Sequence, residues 1–127
     1  MLAPWLLAVA AAIEATIGLA LIVSPQAVSR LLLGPDLAGA GIAVGRVAGI
    51  ALLCFGMVCW MSRHVPNKTP ALSAMLAYNL LVATYLMYLG LDGELVGVLL
   101  WPVIALHAVL SVLFAYVCFN DRLPATR

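Results

Sequence analysis

Gly41-Ile42-Ala43-Val44-Gly45-Arg46-Val47-Ala48-Gly49 is the stretch on which the fold of this chain turns. Three of its glycines stand four apart, and Gly56 continues the line. Residues four apart share one helix face, so this face carries no side chains to hold a neighbouring helix away. From residue 37 to residue 62 the surroundings are apolar apart from Arg46 and Ser62. A run of that length crosses a bilayer, which takes about 20 apolar residues. An arginine inside it is costly unless something answers its charge. The stretch predicts a glycine-packed span that carries a paired cation.

The rest of the chain agrees. Of 127 residues, 66% are hydrophobic and 9% charged. Soluble domains run at roughly 45–50% apolar and about 25% charged. A water-soluble fold of this length cannot hide so much apolar surface, so the solvent is lipid. Residues 1–127 form one domain. The net charge of +1 provides no basic patch and excludes a nucleic-acid partner. Cys54, Cys59 and Cys118 make no CxxC pair and read as small apolar residues inside spans.

Four spans are predicted, at about 4–23, 38–62, 70–90 and 95–119. No Lys or Arg precedes the first, which favours an uncleaved span over a signal peptide. Pro25 lacks an N–H and ends the first helix. Residues 26–33 are too short to span and are expected to lie in the interface, with Arg30 among the headgroups. Gly34-Pro35-Asp36 then breaks the chain, and Asp36 is placed to cap the second helix. Short loops at 63–68 and 92–94 complete an all-α, up-down-up-down four-helix bundle, a polytopic membrane protein. Arg63, Lys68, Arg122 and Arg127 fall on one side, and Arg30 with Asp36, Asp92 and Glu94 on the other. The positive-inside rule then puts both termini in the cytoplasm of a bacterial-type inner membrane.

Glu14, Arg46, Asn79 and His107 fall one on each predicted span. Counted from the non-cytoplasmic end, they lie roughly 14, 12, 16 and 18 Å deep on a rise of 1.5 Å per residue. The expectation is a polar layer near the midplane, with Glu14 and Arg46 as an intramembrane ion pair and Asn79 and His107 beside it. Gly18, Gly41, Gly45, Gly49 and Gly56 are expected to let the first two spans approach. Such a pairing argues against Glu14 as an easy proton carrier. Tyr78, Tyr85 and Tyr88 share a broad face of the third span and, with Ser111, are candidates for one wall of a pocket. No metal set is present, and haem at His107 lacks a second axial ligand. A quinone fits an aromatic, hydrogen-bonding wall better. No nucleophile–base pair or phosphate loop appears, so no catalytic activity of its own is expected.

Ile13-Glu14-Ala15-Thr16-Ile17-Gly18-Leu19, then Ser24-Pro25, then Gly45-Arg46-Val47-Ala48-Gly49 with Gly56, resemble the small four-span bacterial proteins of the DoxX-like group. The likeness implies a first helix ending at a proline, a short interfacial stretch and a glycine-rich second helix. Some members of that group are associated with quinone-linked redox complexes. Ala12 to Gly18 is also similar to the first helix of small multidrug resistance transporters, where a glutamate binds substrate or protons. Those transporters lack an arginine like Arg46. The resulting expectation is an accessory or binding subunit, with membrane lipid and a larger complex or a second copy as partners. The alternatives are a proton-coupled small-molecule transporter centred on Glu14 and a redox subunit with quinone or haem at His107.

Overall fold

The structure, a computed structural model, describes residues 2–120. It is all-α. Helices α1 (Leu2–Val23), α2 (Pro25–Leu33), α3 (Ala40–Ser62), α4 (Thr69–Asp92) and α5 (Leu100–Asn120) follow in order. All but α2 are long and apolar enough to cross a membrane, and they pack as a four-helix bundle. The chain is a small multi-pass membrane protein. Arg122 and Arg127, half of the predicted cytoplasmic charge, lie outside the described residues.

The bundle is built from two close pairs. In the first, α1 and α3 run antiparallel with their backbones in contact. A Cβ on Gly49 would stand 2.6 Å from the Gly18 carbonyl oxygen, and one on Gly18 would stand 2.7 Å from that of Gly49. Gly56 lies against the α1 backbone at Ala11 and Ala15. Gly45 instead receives Pro25 at the α1–α2 joint. Gly41 takes no part in helix packing, contrary to expectation. A Cβ there would meet only its own neighbour Leu37, because the 100° step has already carried position 41 off the contact line. In the second pair, α4 and α5 meet through ordinary side chains, with Gly90 against Leu100 and Trp101.

Two apolar clusters fill the interior. One gathers Leu6, Leu7 and Ala10 of α1, Cys59 of α3, Leu72 and Met75 of α4, and Leu110 and Phe114 of α5. The other joins Leu86, Leu89, Leu100 and Ile104, with Leu32 and Leu33 of α2 packed on them. The polar residues of α4 and α5 sit between the two. The α2 helix is thus docked on the bundle. Its last carbonyls accept backbone N–H groups from the α4–α5 connection, Gly97 to Leu32 at 3.1 Å and Leu99 to Leu31 at 2.8 Å. That docking ties the connection down, and α5 begins at Leu100 and not near 95.

Gly34 ends α2 at φ 97°, a conformation that favours glycine, and donates its N–H to Arg30 and Ser29 carbonyls. Beyond it, Ser29 Oγ donates to the Pro35 carbonyl at 2.8 Å. Arg30 binds Asp36 through two parallel bonds of 2.8 and 2.7 Å. Asp36 therefore does not cap the next helix. Gly39 takes the cap position, and the hydrogen bond from Arg30 holds the Asp36 carboxyl below its ordinary range.

Candidate functional site

Four helices were expected to contribute one polar residue each to the centre. Three do. Glu14 of α1 is only 2% exposed, and its Oε2 accepts the Tyr78 hydroxyl at 3.1 Å. His107 of α5 is bonded through Nδ1 to Asn79 Oδ1 of α4 at 2.8 Å. The Asn79 amide nitrogen donates to the Met75 carbonyl at 2.8 Å. That bond orients the amide, makes Oδ1 the acceptor and Nδ1 the donating nitrogen, and leaves the lone pair of a neutral ring on Nε2. Tyr78 joins the two halves. Its hydroxyl serves Glu14, while its ring stands edge-on to His107 at 5.8 Å and to Phe55 of α3 at 5.3 Å. Tyr78 and Asn79 are adjacent in the chain and about 100° apart on the helix, so one turn of α4 addresses both α1 and α5.

The Glu14–Arg46 ion pair does not form. Arg46 is exposed on the outside of α3, and Arg30–Asp36 is the one ion pair among the described residues. The reason is register. The contact of Gly18 with Gly49 sets Glu14 level with Leu53, whereas Arg46 is level with Leu21, about 10 Å further along the axis at 1.5 Å per residue. Counting depth from segment ends hid this offset, because α3 continues past the end of α1 to receive Pro25. Phe55 and Gly56 of α3 reach the centre, with the buried Cys59 one turn on, and the Cβ of Glu14 lies 3.4 Å from where a Gly56 side chain would start.

Glu14 is consequently a buried carboxyl with one partner. Its Oε1 has no hydrogen-bond partner among the described residues. Buried polar atoms are nearly always satisfied, and an exception inside an apolar bundle marks a place where a ligand, a proton or a water completes the site. Comparison with known protein families, curated sequences and solved structures finds no match. The reading of the site therefore rests on its own geometry.

The predicted pocket wall is corrected in the same way. Tyr85 and Tyr88 are each 62% exposed and stack on one another at 6.5 Å on the outside of α4. Only Tyr78 points inward. Tyr85 shares its direction on the helix, but α3 and α4 touch at few points, and Tyr85 lies uncovered. Ser111 is buried, and its hydroxyl is spent on the His107 carbonyl at 2.8 Å within its own helix. A cleft of about 670 Å³ lies at the other end of the bundle, lined by Asn67, Lys68, Tyr116 and Asn120 among others. A groove of about 430 Å³ runs along the outside of α1 and α3 past Ala12, Ala15, Met57 and Trp60. Neither is lined by Glu14, Asn79 or His107.

Sequence reasoning found Glu14, Tyr78, Asn79 and His107 but missed Phe55. An aromatic in an apolar span gives no signal of its own, and its relevance follows from the ring it touches.

Proposed function

We propose that this protein is a small integral-membrane accessory or binding subunit. Its working element is the buried cluster of Glu14, Tyr78, Asn79 and His107. The observation that carries this reading is the unpartnered Oε1 of Glu14 beside the Tyr78 hydroxyl. A carboxyl oxygen and a neutral imidazole nitrogen, both in an apolar surround, suit a lipid-soluble molecule with hydrogen-bonding groups, of which a quinone or quinol is one class. The layout is consistent with a DoxX-like membership, and with service to a quinone-linked or other membrane complex. The test is extraction and mass spectrometry of what copurifies from a gently solubilised membrane. Wild type is expected to hold such a molecule or partner, and His107→Ala to lose it with helicity intact. An empty wild-type protein rejects the binding reading, and a coloured one turns it toward haem.

One observation favours a second reading, proton-coupled transport. Glu14 faces no cation among the described residues, which removes the objection that an arginine locks its charge. This reading requires substrate binding that releases protons and vanishes in Glu14→Gln.

The proposed setting is a bacterial-type inner membrane with both termini cytoplasmic, supported by Arg63 and Lys68 in the α3–α4 loop. A cysteine introduced at Pro66 of a cysteine-free variant is expected to react with an impermeant maleimide only after the cell membrane is opened. Labelling of intact cells reverses the orientation.

A further inference from the structure

We infer that Arg46 is a docking point for the phosphate of a phospholipid headgroup, in the leaflet on the α2 side of the bundle. This is independent of the central cluster. Arg46 is exposed on the outer face of α3, flanked by Val44, Val47 and Ile50, which are also exposed. A guanidinium keeps its charge and does not tolerate hydrocarbon without an anion. No carboxylate of the described residues answers it. Arg30, at the same end, is already neutralised by its two bonds to Asp36, and Glu14 is buried about 10 Å away along the axis.

The position selects the anion. α3 begins at Ala40, so Arg46 lies about 9 Å inside the helix end at 1.5 Å per residue. An arginine stem pointing back toward the helix N-terminus covers most of that distance and brings the guanidinium to headgroup depth. Phosphate oxygens at that depth accept two parallel N–H bonds from the planar fork. The same end of α3 has no side-chain cap, so its N-terminal dipole adds to the attraction for an anion. The glycine stripe turns one face of α3 to α1, and Arg46 projects from beside it toward lipid.

The experiment compares full-length wild type with Arg46→Ala, Arg46→Lys and, as a control at the opposite end, Lys68→Ala. Each is purified and its retained phospholipid measured as phosphorus per protein. Arg46→Ala is expected to retain about fivefold less, the effect of one interfacial cation. Arg46→Lys, which keeps the charge without the planar fork, is expected to fall between the two. Lys68→Ala, whose ammonium is already bonded to the Val65 carbonyl in wild type, is expected to stay near wild type. In parallel, wild type is reconstituted in phosphatidylglycerol or in a phosphate-free diglucosyl lipid, and is expected to unfold at higher temperature in the former. Equal retention by Arg46→Ala overturns the inference. So does equal stability of wild type in the two lipids, which decides the matter even where Arg46→Ala does not fold. Cross-linking of two copies through position 46, lost together with a dimer in Arg46→Ala, assigns the anion to a second copy and also overturns it.

Discussion

Replacing Gly49 with alanine is expected to destabilise the bundle by about 2–3 kcal/mol, the upper part of the range for overpacking a tight contact. The new methyl group would meet the Gly18 carbonyl oxygen at 2.6 Å and Leu21 Cβ at 2.8 Å. Neither atom is the free end of a flexible side chain, so relief requires the helices to separate. Separation withdraws Phe55 and Gly56 from the central cluster as well. Gly18→Ala faces the same backbone and belongs with it. Gly56→Ala, with its closest approach at 3.0 Å, should cost less. Gly41→Ala is the internal control. Its neighbour is the mobile end of Leu37, and alanine is intrinsically the better helix former by about 1 kcal/mol, so stability should hold or rise. Thermal unfolding in one detergent, followed by size exclusion, ranks the four. If Gly49→Ala melts with wild type, the backbone contact between α1 and α3 is wrong.

The second large effect concerns Glu14. Glu14→Gln is expected to leave stability within about 1 kcal/mol of wild type, while ligand retention falls about tenfold or more. The amide keeps a carbonyl acceptor for the Tyr78 hydroxyl, so the one bond that Glu14 makes survives. It places a donor where Oε1 already lacked a partner, exchanging one unmet need for another. What it removes is the capacity for charge and the free acceptor that the proposed ligand would use. A buried ion pair behaves differently, since breaking one costs about 3–5 kcal/mol. Combining Glu14→Gln with Arg46→Ala makes the contrast sharp. The two sites are separated along the axis and share no partner, so their effects should add within about 0.5 kcal/mol. A double variant more stable than the sum of its parts restores the ion pair and removes the register described above.

Helix number, span class and the identity of the polar residues were legible in the chain itself. Lipid as a solvent imposes composition rules on every residue, and those rules survive without knowledge of contacts. Pro25 and Gly34 broke helices where their backbone chemistry requires. Glu14, Tyr78, Asn79 and His107 stood out because polar side chains are rare in such spans. Their partners did not stand out. Depth counted from segment ends is uncertain by about two to four residues at each end, and pairing at the scale of a hydrogen bond demands better.

The glycine stripe shows where that limit falls. Its spacing alone established that α3 presents a bare face and that another helix lies against it. Which glycines touch, and at what register, came from the packing of α1 and α2 together. Pro25 fills Gly45, Gly49 meets Gly18, and Gly41 is left out. That register carries Arg46 toward the α2 end of the bundle and leaves Glu14 to Tyr78. Local periodicity reports the direction of each side chain on its own helix. The axial offset between two helices is set by the fit of both surfaces, and only the folded pair contains it.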